Sequence, residues 1–309
     1  SIAMSAAGQR MAYVTYAARA NIWSLTIPAR GTGDAAPAKS VTSGNQIIEA
    51  MSVSRDGQWL LFDSNQYLNT EIFRVPIGGG PIERLTTDPA DDFCADLSPD
   101  GAEIAWHSWR SGTRDLYTKK VSGGTTEAVT ATPGQESYPS WSPDGLALAY
   151  IDQTIENGTT RGLFVVRRSS GKWGAPLALV PGIWFKPAWA DGGKTIVSAM
   201  VEGGITAVDV ESRVVRSVYT PANVSDPRAE SAVMADDGQT VYFKSHDANG
   251  SASIWTVPLA GGQPHVLVQF NDRPSIRPDF ATGAGRFFFT LEDRQADIWV
   301  AELSTNPKR

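Results

Sequence analysis

The sequence contains little of what metal and redox sites usually require. Its 309 residues include one cysteine, Cys94, and three histidines. A single cysteine excludes an internal disulfide, and Cys94 lies in no spacing typical of metal ligands. Only 19% of the residues are charged, and with a net charge of −6 the chain has no basic face for nucleic acid. We therefore expect no metal, no cofactor and no nucleic-acid partner.

Long apolar runs are also missing. No stretch approaches the roughly 18 consecutive apolar residues of a membrane-spanning helix, so we expect no direct membrane insertion. Segments with a period of 3.6 residues are scarce as well, which argues against a helical fold. By contrast, the chain contains 29 glycines, 19 prolines and 10 tryptophans around short apolar runs. This composition indicates an all-β protein with many turns.

Two sequence anchors recur along the chain. The first is a turn, written most clearly as Ser-Pro-Asp-Gly at 98–101 and 142–145. The second is a small or acidic residue before an aliphatic and aromatic pair, as at 115–117 and 297–299. The equivalent turn positions are Gly8, Gly57, Gly101, Gly145, Gly193, Gly238 and Ala284, which lie 49, 44, 44, 48, 45 and 46 residues apart. Seven units result.

Each unit is predicted to form four short antiparallel strands, because alternating apolar positions are interrupted by turn residues at matching places. Four-stranded units arranged radially around a channel form a β-propeller. We therefore predict one seven-bladed propeller domain over residues 1–309. The predicted blades are 1–46, 47–90, 91–134, 135–182, 183–224, 225–272 and 273–303.

The seventh unit ends after its third strand, at residues 301–303. We expect the last blade to lack its outer strand in this chain, because that strand lies upstream of Ser1 in a longer parent protein. A natural three-stranded last blade is the alternative. Tryptophans at equivalent strand positions are predicted to fill the blade cores, and they are Trp23, Trp106, Trp141, Trp189, Trp255 and Trp299.

The repeated Ser-Pro-Asp-Gly turn, the Asp-Ile-Trp type of anchor and a terminal Leu-Thr resemble the TolB-type, WD-repeat-like β-propellers over residues 1–303. The stretches 11–13, 21–23, 285–292 and 297–300 are similar to propellers that follow Ser/Thr kinase or winged-helix domains in bacterial regulators. The resemblance implies a fold that binds a protein, peptide or small molecule, and a periplasmic or extracytoplasmic location.

Candidate binding residues lie on one face of the predicted propeller. The loops between second and third strands share this face with the connections between blades, around the channel mouth. Aromatic residues mixed with arginines and carboxylates are typical of recognition surfaces. The predicted binding residues are Glu49, Asp92, His107, Trp109, Arg110, Glu136, Tyr138, Trp184, Phe185, Lys186, Glu230 and Arg277, with Tyr67, Phe93 and Arg114 in the same loops.

We expect a non-catalytic binding propeller, the sensory or interaction domain of a larger bacterial regulatory protein. A free periplasmic scaffold similar to TolB is one alternative. A hydrolase or lyase acting on carbohydrate or peptide is another, and it would use carboxylates such as Glu49, Asp92 and Glu136. For Trp184 and Phe185, the alternative to binding is that they fill the gap between adjacent blades.

Overall fold

The fold consists of β-sheets. The structure is a computed structural model that describes residues 2–5, 10–29, 31–182, 184–271 and 275–302, with the backbone alone at 14–17 and 294–297. Across these residues every regular element is a strand, apart from one 3₁₀ turn at Asp191–Gly193. The turn predicted at Gly8 lies outside the described residues. The prediction of an all-β fold is confirmed.

The second to sixth sequence units each form one antiparallel sheet, and we number these blades 2 to 6 after their units. In every blade the innermost strand comes first in the chain and the outermost comes last. The strands of blade 2 are Met51–Val53, Trp59–Ser64, Glu71–Pro76 and Glu83–Arg84. Those of blade 3 are Asp92–Leu97, Glu103–Ser108, Asp115–Lys120 and Glu127–Ala128.

The remaining three numbered blades follow the same plan with small additions. The strands of blade 4 are Glu136–Trp141, Ala147–Glu156, Thr159–Ser169 and Leu177–Val180, with Lys172–Trp173 as a short addition. Those of blade 5 are Ala188–Ala190, Thr195–Ala199, Ile205–Asp209 and Val215–Tyr219. Those of blade 6 are Ser231–Met234, Thr240–His246, Ala252–Pro258 and His265–Gln269, and Gly33–Asp34 pairs with the last of them.

The first and seventh units share one sheet, which we call the closing blade. The chain end supplies its innermost strand Phe280–Gly283 and the long strand Arg286–Glu302. The chain start supplies the long strand Arg10–Thr26 and the outer strand Lys39–Ser40. The two long strands pair antiparallel, residue for residue, over their whole length.

The described residues therefore form six sheets, where the sequence predicted seven blades with an incomplete last one. The first and seventh sequence units are halves of one blade. The missing outer strand of the seventh unit is supplied by residues 39–40. Pairing the two ends in this way closes the ring without leaving an open sheet edge inside it.

The two long strands continue beyond the ring and form a projecting sheet with Ile2–Met4. Ile2, Ile298 and Val300 are exposed there. Trp299, predicted to be a core residue, is 54% exposed, so that prediction is wrong. Its unit continues as one straight strand where the other units turn back after the second strand. Trp106 and Trp141, at other strand positions of their units, are buried as predicted.

Six apolar clusters hold the ring together, and each lies between two neighbouring blades. Each innermost strand also contacts the innermost strand of the next blade, and the contact between Phe280–Gly283 and Met51–Val53 completes the circle. Sheets stacked face to face bury the apolar side chains of both inner faces. The core is therefore divided into six wedges around the axis.

The Ser-Pro-Asp-Gly turn is fixed by its own side chains. In blade 3, the Ser98 hydroxyl donates to Asp100 Oδ1 at 2.6 Å and accepts from the Glu103 amide at 2.9 Å. Hydrogen bonding by Ser98 lowers the pKa of Asp100, so the turn carboxylate remains ionised. Gly101 follows at φ +72°, a conformation that glycine adopts without strain. This chemistry explains why the anchor recurs at the turns.

The second anchor ties the third strand to the outer strand. The Thr130 hydroxyl accepts a 2.9 Å hydrogen bond from the Leu116 amide, and the Thr132 amide donates to the Asp115 carboxylate at 3.1 Å. In blade 2, Thr86 makes the same contact with the Ile72 amide and donates to Glu71. The acidic anchor residues therefore serve blade assembly, since they satisfy polar groups buried between strands.

We predict that only the part of the strand Arg286–Glu302 inside the ring is needed for stability. Phe288 is fully buried, whereas Ile298 on the same strand is 75% exposed. Phe288→Ala should lower the free energy of unfolding by about 3–5 kcal/mol, and Ile298→Ala should change it by about 0.5 kcal/mol or less. Urea denaturation of both variants measures this. Equal losses would contradict the closing blade.

Candidate functional site

The propeller has two faces that differ in their loops. The upper face carries the loops between second and third strands together with the connections between blades, and the lower face carries the Ser-Pro-Asp-Gly turns. Several large apolar side chains are exposed in upper-face loops: Tyr67, Leu68, Trp109, Val201, Val224 and Ile276. Leu68 and Val224 are fully exposed. Exposed apolar patches are typical of interaction surfaces, so the upper face is the candidate for binding.

An aromatic cluster lies on the upper face at blades 3 and 4, and we call it the mouth cluster. It consists of Phe93, His107, Trp109, Arg114 and Tyr138. The His107 ring stacks on Phe93 at a centroid distance of 5.8 Å. The Trp109 ring meets His107 edge-on at 5.4 Å. Tyr138 lies on the blade 4 side, with its ring centroid 6.1 Å from that of His107.

His107 is buried and uncharged. Burial lowers its pKa to about 3, and the nearby guanidinium of Arg114 acts in the same direction. A neutral imidazole offers one hydrogen-bond donor and one acceptor. Its Nδ1 atom is buried without a hydrogen-bond partner among the described residues. The sequence predicted a binding role for His107, and the structure places it beneath the exposed Trp109.

Arg114 supplies the positive charge of the mouth cluster. Its guanidinium carbon lies 5.4 Å from the Trp109 ring centroid, within the range of a cation–π interaction. One terminal nitrogen donates to the backbone oxygen of Gln135 and to the side-chain oxygen of Gln153. The Nε atom is buried without a hydrogen-bond partner in the described structure. Burial lowers the pKa of Arg114, which reflects the cost of removing its charge from water.

Tyr138 and Cys94 occupy equivalent bulges at the start of neighbouring innermost strands. Their backbones have φ angles of +56° and +55°. The pairing register shifts at both places. Left-handed backbone is uncommon for residues other than glycine. The bulge positions Tyr138 at the channel opening.

Arg110, predicted to bind a partner, is occupied within its own blade. One of its terminal nitrogens donates to both carboxylate oxygens of the buried Asp92, at 3.0 and 3.1 Å. A second interaction reaches Asp88 at 3.7 Å. Its guanidinium carbon also lies 4.6 Å from the Tyr117 ring centroid. Arg110 and Asp92 therefore anchor the loop that carries Trp109.

Trp184 and Phe185 pack inside the protein. Trp184 is only 2% exposed and joins the apolar cluster between blades 4 and 5. Its indole nitrogen donates to the Pro181 carbonyl at 3.1 Å. Phe185 packs against the next cluster, between blades 5 and 6. These residues fill the gaps between blades, which was the alternative considered from the sequence, and the structure leaves Trp184 no surface for a partner.

Lys186 crosses the channel. It enters from blade 5, and its ammonium donates to the Met51 carbonyl of blade 2 at 2.6 Å, on the opposite side of the six-sheet ring. The carboxylate of Asp279 lies 3.6 Å away and accepts from the Met51 amide at 2.8 Å. Attraction to Asp279 helps to raise the pKa of Lys186 although its burial acts to lower it. Lys186 therefore links opposite blades.

Two further acids surround this lysine. Asp63 is fully buried and accepts hydrogen bonds from the Glu49, Ala50 and Cys94 amides. Its burial raises the pKa to about 7. Asp96 accepts from the Trp141 amide at 2.8 Å, and its pKa is also raised by burial. The sequence indicated none of these axial contacts, because the three acids come from different blades.

The other predicted acids and bases on the upper face form local pairs. Glu49 lies 3.2 Å from Arg277. Glu230 lies 2.7 Å from His246, whose second ring nitrogen lies 2.7 Å from the Ser275 carbonyl. Lys244 is buried and donates to the Ser275 hydroxyl at 2.7 Å. These contacts fasten the connection into the closing blade.

Two cavities lie on the other side of Lys186. A cavity of about 230 Å³ occupies the channel and is lined by Asp96, Lys186, Trp189 and Phe280 among others. It shares residues with a cavity of about 490 Å³ at the lower mouth, lined by Arg55, Asp191 and Asp236. In the described chain, no cluster of three or more metal-binding side chains is present, and no helix is long and apolar enough to span a membrane.

Six β-sheets around a channel define the fold of the described residues as a β-propeller. The sequence model of the TolB beta propeller domain matches residues 1–172, which is more than half of the chain, and the chain belongs to this family. No curated protein matches the chain.

Solved structures agree on the fold. A protein assigned as a TolB from Agrobacterium tumefaciens is 21% identical, with a TM-score of 0.69, over 90% of this chain and 99% of that one. TolB from Acinetobacter baumannii is 14% identical, with a TM-score of 0.60, over 90% of this chain and 65% of that one. A chain of a nidogen–laminin complex is 12% identical, with a TM-score of 0.62, over 82% of this chain and 93% of that one.

Glu136 is buried at the start of the innermost strand of blade 4. Burial raises its pKa to about 7. The folded protein therefore holds this proton more tightly than the unfolded chain, so the stabilisation is complete below about pH 4.5 and is lost as the pH rises to about 7. Glu136→Gln should raise the melting temperature at pH 8 and change it little at pH 5.

The control for this measurement is Glu127→Gln, which changes an exposed acid on the outer strand of blade 3. Thermal melts of the wild type and both variants at the two pH values are compared. A Glu136→Gln protein that is less stable than the wild type at pH 8 would show that the carboxylate is needed in its ionised form.

Proposed function

We propose that this propeller is a non-catalytic binding module, and that its upper face binds a partner protein or peptide. The observation that carries this proposal is the group of exposed apolar side chains in upper-face loops, with Trp109 held above the mouth cluster. Such side chains cost free energy in water, and binding relieves that cost. Loops fixed by buried ion pairs, such as Arg110 with Asp92, keep the surface ordered before binding.

The placement of the acids favours binding over a carboxylate-based enzyme. Glu49, Asp92, Glu136 and Glu230 stand at the starts of four different blades. Glu49, Asp92 and Glu230 are each paired with a base, and Glu136 is buried and accepts from Thr132. Glycoside chemistry needs two carboxylates that converge on one substrate bond. The role of these acids here is to fasten loops.

The wider context of the chain also belongs to the proposal. We propose an extracytoplasmic location and a role as the sensory or interaction part of a larger bacterial regulatory protein, and the sequence similarity of the chain ends to such regulators supports this. If the chain instead acts as a free scaffold similar to TolB, the same upper face binds its partner. Fractionation of cells that express the tagged native gene product distinguishes the compartments.

We predict that Trp109 dominates binding at the upper face. Peptides selected from a displayed random library on the immobilised wild-type protein provide defined ligands. Trp109→Ala should weaken them by about tenfold or more, because aromatic anchors carry most of the energy of such interfaces. Leu68→Ala should weaken some of them.

The matched control is Leu146→Ala, which removes a similarly exposed apolar side chain from a lower-face turn. Its affinity for the same peptides should equal that of the wild type, as measured by isothermal titration calorimetry. If the selected peptides tolerate Trp109→Ala and lose affinity with Leu146→Ala, the lower face is the binding face and the proposal is wrong.

A further inference from the structure

Arg114 is the one member of the mouth cluster with a full charge, and this charge is poorly compensated. Its side chain is partly buried, and no carboxylate oxygen within the described residues lies within the 4.0 Å of an ion pair. Its acceptors are two neutral oxygens, from Gln135 and Gln153. A charge removed from water is costly unless an opposite charge accompanies it.

The two acids that act on Arg114 electrostatically form no ion pair with it among the described residues. Asp152 acts on Arg114 electrostatically, but its carboxylate lies 2.8 Å from Arg161. Glu136 also acts on Arg114, yet at neutral pH its carboxyl is partly protonated and accepts a hydrogen bond from Thr132. Arg110, by comparison, has a buried carboxylate of its own in Asp92. Arg110 therefore has a carboxylate partner, whereas Arg114 donates only to neutral oxygens.

The groups around Arg114 indicate what kind of ligand could supply a counter-charge. The buried Nδ1 of His107 and the buried Nε of Arg114 both lack a hydrogen-bond partner in the described structure. The half-exposed ring of Trp109 contacts both residues. Phe93 meets Trp109 edge-on at 5.6 Å. A polar site next to aromatic walls suits a carboxylate attached to an apolar group.

We propose that the mouth cluster is a carboxylate-binding site, in which Arg114 pairs with the carboxylate of a ligand whose neighbouring apolar or aromatic group packs on Trp109 and Phe93. The proposal rests on the proposed function in taking the upper face as the recognition surface. The sequence predicted only a protein, peptide or small-molecule partner. The present proposal specifies that the bound group is a carboxylate.

N-acetyl-phenylalanine is the probe, and its primary amide is the matched neutral ligand. In calorimetry or chemical-shift titration at millimolar concentrations, the wild type should bind the acid about tenfold tighter than the amide, as expected for a charge-assisted hydrogen bond. Arg114→Gln should remove this difference. Arg167→Gln, on an exposed position of blade 4, should leave it unchanged.

A second variant tests the site without removing the arginine. Gln153 already accepts from Arg114, so Gln153→Glu supplies a carboxylate from the protein itself. This variant should fold at least as stably as the wild type and should lose the preference for the acid, because the guanidinium is then paired internally. If the stable Gln153→Glu protein also loses the preference, misfolding of Arg114→Gln cannot explain the result.

The outcomes are distinct. The inference is overturned if the acid fails to bind the wild type, if acid and amide bind equally, or if the preference survives in either Arg114→Gln or Gln153→Glu. Selected peptides that need Trp109 but bind equally with or without carboxylates would overturn this inference alone. A preference for the acid that depends on Arg114, with peptides that bind elsewhere, would overturn only the proposed function. Peptides with a free C-terminus or an internal Glu then identify which carboxylate is used.

Discussion

The antiparallel pairing of Arg10–Thr26 with Arg286–Glu302 is the interaction on which the rest of the structure depends. It joins two ends of the chain that lie more than 250 residues apart in sequence, and it completes the sheet that packs against both blade 2 and blade 6. If the pairing opened, these two apolar clusters would be exposed and the ring would present unpaired strand edges to solvent. The inner strands, and with them the channel and the upper-face loops, are positioned by that closure.

Most of the fold could be predicted because its determinants are local. The turn of Ser98 and Asp100 and the contact between Thr130 and the Leu116 amide involve residues close in sequence, and they recur with the unit. Blade closure is a different kind of interaction. The same anchor at 297–299 continues a straight strand, whereas at 115–117 it follows a turn, because the partner strand comes from the other end of the chain. The local sequence does not show that the first and seventh units share one blade.

The candidate site was predictable as a set of loops and less so as a set of contacts. Loop register placed Trp109, His107 and Tyr138 on one face, where the structure brings them together. It also selected Trp184, whose burial depends on a neighbouring blade that the local sequence does not describe. Lys186 and Asp279 meet across the channel for the same reason. Their positions result from packing between units, and a repeat read along one chain contains no information about which residues of different units converge.

The polar interior separates groups that hold the fold from groups that remain available to a ligand. Among the described residues, Asp92 with Arg110 and Ser98 with Asp100 pair within the same blade. These interactions offset the free-energy cost of removing the polar groups from water. A buried donor without such a partner costs about 1–3 kcal/mol. Folding alone gives no reason to retain that cost at Arg114, since Gln153 could be a carboxylate without any change in backbone. The cost is explained if the missing acceptor arrives with a ligand, and Trp109 lies directly beside that position.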